Sequence, residues 1–201
     1  MQTETARQAW DERYSAREYV WTVEVNQFVE AHLADLEPGT AIDLAAGEGR
    51  NSVWLAMRGW EVTAVDFSSV GLAKANRLAE DNKVSIKTVE ADATTYQHEG
   101  LVDLVVVSYL QLEPEGRQAA LEHAKTWLRP GATLFLIAHD RSNIDNGWGG
   151  PSAPQVCYTP EEATAALDGL EIKRAEVAER PVSTDDGEQI ALDTLVIATR
   201  P

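Results

Sequence analysis

Apolar residues fall in short β-branched runs, and the stretches between them carry helical character. The runs near 40–45, 61–66, 84–90, 102–108 and 132–139 have the length and composition of strands. Helices are predicted near 22–35, 51–58, 69–81, 114–128 and 160–168. Two helix starts carry their own signals. Ser68 or Ser69 is a capping residue after the second strand, and Thr159 precedes Pro160, Glu161 and Glu162, a cap followed by proline and first-turn acids. Arg129-Pro130-Gly131 predicts a break ahead of the fifth strand. Beyond the last helix the rhythm changes. Residues 171–182 and 189–198 read as two strands around Ser183-Thr184-Asp185-Asp186-Gly187, where Asp-Gly signals a hairpin. Strands alternating with helices predict an α/β sandwich.

No repeat, low-complexity tract or Pro/Ser-rich linker interrupts the pattern, so one domain over residues 1–201 is expected. A hydrophobic content of 44% with 25% charged residues is that of an ordinary globular protein. No apolar run approaches the ~20 residues that span a bilayer, and Met1 to Asp11 lacks an apolar signal core. Cys157 is the lone cysteine, which excludes an internal disulfide and suits the reducing cytoplasm. The net charge of −16 changes the picture more. An acidic field repels phosphate backbones, so nucleic acid is a poor partner and a small molecule a better one. The same acids serve either solubility alone or the steering of a cationic ligand.

The chemistry is concentrated at the end of the first strand. Asp43 closes it, Gly47 and Gly49 leave backbone open to close approach, and a helix begins at once. A second strand, Glu61 to Val65, ends in Asp66, placed to take two ribose hydroxyls unless it only caps the next helix. A nicotinamide fingerprint would carry a third glycine where Ser52 stands, and would not set Asp43 four residues ahead of Gly47. His32, His98, His123 and His139 are scattered, so no metal is expected. Neither a G-x-S-x-G elbow nor a phosphate-binding G-x-x-x-x-G-K-[ST] loop is present.

The run D-x-A-x-G-x-G with the later Asp66 resembles the class I S-adenosylmethionine-dependent methyltransferases over most of the chain, with Ala45 standing at the family's usual first glycine. The resemblance implies a Rossmann-like, seven-stranded mixed sheet with a C-terminal antiparallel hairpin and helices on both faces. It implies S-adenosylmethionine as cofactor, with Asp43, Gly47 and Gly49 around its amino-acid end, Asp66 on its ribose, Ala45 among the cofactor-binding positions, and Asn51, like Arg50, facing either donor or acceptor. Asp92 would meet the adenine amine and Ala93 the ring, with Leu44 and Phe67 either sandwiching the base or belonging to the core. Ser108 and Tyr109, at the exit of the fourth strand, would lie where methyl donor and acceptor meet, Ser108 on the cofactor and Tyr109 either catalytic, with its ring face near the sulfonium, or only filling the rim.

His139 closes the fifth strand on the same edge and suits a general base, or else a structural hydrogen bond to the next loop. Arg141 and Trp148 are expected on the acceptor side. The segment Trp10-Asp11-Glu12-Arg13-Tyr14, with Tyr19 and Trp21, is similar to the N-terminal segment of the tellurite-resistance and thiopurine-type small-molecule branch. That likeness makes residues 1–37 a helical lid over a core of 38–201. Trp10, Arg13, Tyr14, Trp21 and Arg50 then become acceptor-pocket candidates. The expected function is methyl transfer to a small molecule. A non-catalytic cofactor-binding protein and a nicotinamide oxidoreductase remain as alternatives.

Overall fold

The computed structural model describes residues 2–185 and 187–201; Met1 and Asp186 of the predicted turn lie outside them. Seven strands form one sheet: β1 (Thr40–Leu44), β2 (Glu61–Asp66), β3 (Lys87–Glu90), β4 (Val102–Ser108), β5 (Leu128–His139), β6 (Glu171–Thr184) and β7 (Gly187–Thr199). Their order is β3-β2-β1-β4-β5-β7-β6. The first five strands pair in parallel, and β7 runs antiparallel to both β5 and β6. The mixed sheet with its closing hairpin is the one expected.

The helices are α1 (Gln2–Ser15), α2 (Gln27–Leu33), α3 (Arg50–Met57), α4 (Ser69–Asp81), α5 (Pro114–Thr126), α6 (Asn143–Asn146) and α7 (Pro160–Ala166), with a 3₁₀ turn at Pro154–Val156. Period-two alternation sends Ile42, Leu44, Val105 and Val107 to the face covered by α5 and α7. Ala41, Leu104 and Val106 point to the opposite face, covered by α2 and α3. Fully burying each such aliphatic side chain is worth ~1.5–3 kcal/mol, which makes these two layers the main source of cohesion.

Some predicted bounds shift. The helix expected over 22–35 forms only at Gln27–Leu33, capped by the Asn26 side chain, which accepts from the N–H groups of Phe28 and Val29. The strand expected from 84 begins at Lys87. Arg129-Pro130-Gly131 lies inside β5 rather than ahead of it. Gly131 takes φ +82° and its N–H still finds the Arg200 carbonyl at 2.8 Å, so the strand absorbs the break. Ser68 and Thr159 cap α4 and α7 as expected, accepting from Gly71 N and Glu162 N.

Candidate functional site at the carboxyl ends of the strands

β1 hands over to α3 through a turn with positive φ at Ala45 (62°), Gly47 (55°) and Gly49 (81°). Two of these positions demand glycine twice over. A Cβ on Gly47 would lie 2.7 Å from the Tyr14 hydroxyl, and one on Gly49 would lie 2.5 Å from Ala75 Cβ. Ala45 bears the steric cost of left-handed backbone with its methyl in place.

Alternation puts Asp43 on the α3 side of the sheet. Ser52 Oγ donates to its Oδ2 at 2.6 Å. Its Oδ1 is buried and accepts nothing. Burial pushes this carboxyl up to about 6, with the hydrogen bond from Ser52 acting the other way. An orphan carboxylate oxygen beside a glycine turn is a receptor for a ligand's N–H or cation.

Asp66 ends β2 and is held from both sides. Gly47 N donates to Oδ2 and Ser68 N to Oδ1, each at 2.8 Å. Burial nevertheless raises its pKa. A carboxylate offers about four lone-pair sites, so these two bonds orient the group and leave acceptor capacity for ligand hydroxyls. Asp92 shapes the loop after β3, accepting from Thr94 N and Thr94 Oγ1, both at 2.8 Å. Phe67, next after Asp66, is half-buried. Leu44 and Ala93 belong to the core layer under α5.

At the sheet's centre, Asn51 joins three elements. Its Nδ2 donates to Ser108 Oγ at 3.1 Å, and its Oδ1 accepts from Asn26 N at 3.0 Å. Next to it lies a cluster built across β4, β5, β6 and β7. Tyr109 takes φ +54°, a strained value for a bulky residue. Its hydroxyl donates to Asp193 Oδ2 at 2.9 Å, and Arg180 Nε donates to the same oxygen at 2.6 Å. His139 pairs with Asp193 across the β5–β7 ladder, and its Nδ1 lies 3.2 Å from Asp193 Oδ1. That approach is an ion-pair distance without hydrogen-bond alignment. The His139 and Tyr109 rings are 4.8 Å apart. Burial alone would raise the Asp193 carboxyl, but His139 and Arg180 together hold it below the ordinary range. Burial drives the Tyr109 phenol up, and the Asp193 charge adds to it.

The N-terminal segment closes over the glycine turn. Tyr14 is 5% exposed, its hydroxyl against Gly47. Ser68 Oγ donates to Asp11 Oδ1 at 2.5 Å. Buried Glu48, between the two glycines, accepts from Val20 N and Trp21 N. Lys74 of α4 completes the latch, donating to Glu48 and to the carbonyls of Tyr14 and Arg17. The Arg13 guanidinium lies 4.9 Å from the Trp10 ring centre and 4.7 Å from that of Trp21. Trp10, Arg13, Tyr14 and Trp21 are thus brought together.

Arg141 and Trp148 stand apart from that group. Arg141 gives both oxygens of Glu162 a hydrogen bond, at 2.8 and 2.7 Å, and another to Pro154 O. Trp148 is 47% exposed. Sequence reasoning missed Asp193, Arg180, Glu48 and Lys74. For Asp193 a signal exists, since it is an acid in the middle of the apolar run Ile190 to Ala198. Among the described residues no group of His, Cys, Asp and Glu is arranged to hold a metal ion.

Comparison with known proteins bears on the family and the fold. Residues 41–131 match the family described as a methyltransferase domain. The chain is 31% identical over 108 residues to the ribosomal RNA small subunit methyltransferase C of Alcanivorax borkumensis, covering 51% of this chain and 33% of that protein. It is 26% identical over 129 residues to the probable S-adenosyl-L-methionine-dependent methyltransferase TehB of Haemophilus influenzae, covering 63% and 45%. The chain therefore spans between a third and a half of the length of these curated relatives. The crystal structure of the N-methyltransferase NodS from Bradyrhizobium japonicum, in complex with S-adenosyl-L-homocysteine, superposes with a TM-score of 0.75 at 16% identity. It covers 97% of this chain and 98% of that one.

Proposed function

We propose that this chain, which belongs to the class I S-adenosylmethionine-dependent methyltransferases, transfers the methyl group of that cofactor to a small-molecule acceptor at the carboxyl ends of β1, β2, β4 and β5. The observation that carries the reading is the pairing of an orphaned, buried Asp43 oxygen with a glycine turn and an oriented Asp66. When bound, S-adenosylmethionine supplies a methyl group already activated on a sulfonium. What remains for the protein is to place donor and acceptor in line and exclude water, which can contribute roughly 7–11 kcal/mol.

Asp43 Oδ1 and the open backbone at Gly47 and Gly49 receive the amino-acid end of the cofactor. Asp66 receives the ribose hydroxyls through its remaining lone pairs, while Asp92, Ala93 and Phe67 bound the adenine. Ser108 and Asn51 keep the end of β4 fixed beside the reacting atoms. The Tyr109 hydroxyl is committed to Asp193, so this residue presents its ring rather than a proton. His139 takes the proton of an acceptor hydroxyl, thiol or amine on Nε2. The Asp193 charge, 3.2 Å from Nδ1, stabilises the imidazolium that forms. Residues 1–37 serve as the cover and 38–201 as the cofactor-binding core.

The charge of −16 favours a small molecule over nucleic acid as acceptor. The free, buried Cys157 favours a cytoplasmic setting. No helix among the described residues is long and apolar enough to cross a membrane. The deciding experiment is isothermal titration with S-adenosylhomocysteine, with NADH as control. Micromolar binding of the first alone, followed by S-adenosylhomocysteine release in an acceptor screen, supports the proposal. A folded protein that binds neither refutes it.

A further inference from the structure

The imidazole of His139 is placed without an aligned hydrogen bond. Its Nδ1 and the facing Asp193 Oδ1 are both buried, and neither has a hydrogen-bond partner among the described residues. A working histidine is ordinarily oriented by a bond at its far nitrogen, so at this site packing is left to hold the ring. One neighbour is the Tyr109 ring, with centres 4.8 Å apart and planes tilted by 45°. The other is backbone. A Cβ built on Gly150 would lie 3.0 Å from His139 Nδ1 and 3.1 Å from both Cγ and Cε1. An approach in the ring plane would leave Cγ and Cε1 clearly farther away than Nδ1. Near-equal distances to three successive ring atoms therefore direct the bare Cα of Gly150 at the face of the imidazole.

The loop that carries Gly150 is pinned where the ring needs it. Buried Asn143 of α6 holds it from below: its Nδ2 donates to Gly149 O at 2.8 Å, and its Oδ1 accepts from Leu192 N at 2.7 Å. Leu192 directly precedes Asp193, so one amide ties the loop to the strand position that faces His139. Gly149 and Gly150 both have left-handed backbone, with φ +71° and +79°. They differ in one respect. A Cβ on Gly149 would meet nothing within 4 Å, whereas one on Gly150 meets the imidazole. Backbone conformation thus favours glycine at both positions, and the His139 ring adds its own demand at Gly150 alone.

We infer that Gly150 is a positioning residue for proton transfer: its bare Cα seats the His139 imidazole, and Asn143 fixes that seat to β7 beside Asp193. This deepens the methyltransferase reading and rests on it for what His139 does, while the seat itself is tested on the ring alone. With Nδ1 buried, the neutral ring keeps its proton there, toward Asp193, and leaves Nε2 as the base. An acceptor's X–H bond then breaks with its electron pair kept on X for the incoming methyl group and its proton passed to Nε2. Acceptors that must lose a proton depend on the seat, and acceptors that arrive ionised do not.

The test is NMR of the ¹⁵N-labelled histidine side chains of the full chain, in alkaline solution where the imidazoles are neutral, with His139 assigned through His139→Gln. The wild type is expected to show His139 in a single tautomer, protonated on Nδ1. Gly150→Ala should shift its ring signals and populate both tautomers. Gly149→Ala imposes the same backbone strain and should leave the His139 tautomer as in the wild type. Asn143→Asp keeps the acceptor for Leu192 N, loses the donor to Gly149 O, and should also mix the tautomers without altering a glycine. His32, His98 and His123 should hold their signals in all three variants. The affinity for S-adenosylhomocysteine should change by less than about twofold. Three results overturn the inference. A wild-type ring that already exchanges between tautomers is not seated. Equal His139 signals in Gly149→Ala and Gly150→Ala remove the contact with Gly150. Shifts in all four histidines make the effect a general loss of structure. A ring displaced only by Gly150→Ala and Asn143→Asp, in a protein whose His139→Gln variant retains full turnover in the acceptor screen, keeps the seat and sinks the reading of His139 as the base.

Discussion

Asp43 carries a tension between stability and binding that a titration exposes. Its pKa near 6 stands above that of an unfolded aspartate, so the folded protein holds the proton more tightly. Stability is then greatest below the unfolded value, near pH 4, and declines as pH rises to about 6. A two-unit shift corresponds to on the order of 3 kcal/mol. Asp43→Asn should therefore melt higher than the wild type at pH 7, with the difference vanishing below about pH 4. The same variant should bind S-adenosylhomocysteine more weakly, because the amide brings no charge to the cofactor's amino group. In the wild type, affinity should fall as pH drops below about 6, whereas in Asp43→Asn it should stay flat over that range. Melting curves and calorimetric titrations at half-unit pH steps check both statements. Most of what surrounds Asp43 is legible in the sequence. An acid ending an apolar strand, two glycines and a second acid nineteen residues after Gly47 specify the turn and its neighbours. What no spacing shows is that Ser52, which breaks the nicotinamide pattern, is the donor that fixes Asp43.

Among the elements, the β5–β7 ladder matters most for chemistry, because its register sets His139 against Asp193. The two strands were predictable from alternation, but their pairing was not. A hairpin signal places β6 beside β7 and leaves open which of them meets the parallel sheet. Since β7 does, residues 54 apart in sequence become neighbours. Asp193→Asn keeps the shape and removes the charge. For hydroxyl or amine acceptors it should lower kcat by roughly 10²–10⁴-fold and shift the pH profile of kcat, with KM changing little. An acceptor that is already ionised should be spared. The N-terminal cover is the second element with a consequence. The likeness carried by Trp10-Asp11-Glu12-Arg13-Tyr14 implied a lid, and the means of attachment lies in Glu48 and Lys74, which no motif singles out. Lys74→Met deprives Glu48 and the carbonyls of Tyr14 and Arg17 of their donor. Tryptic cleavage after Arg13 and Arg17 should then be faster, and S-adenosylhomocysteine should dissociate faster, while the melting temperature of the core changes little.

For the whole molecule, the net charge of −16 sets the long-range field that an acceptor meets. It repels an anionic acceptor and draws in a cationic one. Salt screens that field over a Debye length of ~8–10 Å. The KM of a carboxylate-bearing acceptor should therefore fall as ionic strength rises from ~10 to ~150 mM. That of a cationic analogue should rise, and steady-state kinetics in the two salts distinguishes them.

The position of β7 also sets a timetable for becoming active. On the proposed assignment, the groups for the cofactor's amino-acid end and ribose come from β1, β2 and the turn between them, and those for its adenine follow β2 and β3. The proton-accepting half is incomplete until the hairpin has docked through β7 onto β5, a pairing of distant segments that forms slowly. Should the hairpin dock last, a refolding chain would bind S-adenosylhomocysteine before it recovers turnover of an acceptor that must lose a proton, which stopped-flow binding set against activity recovery would show. Newly made molecules would compete for S-adenosylmethionine before they are able to use it.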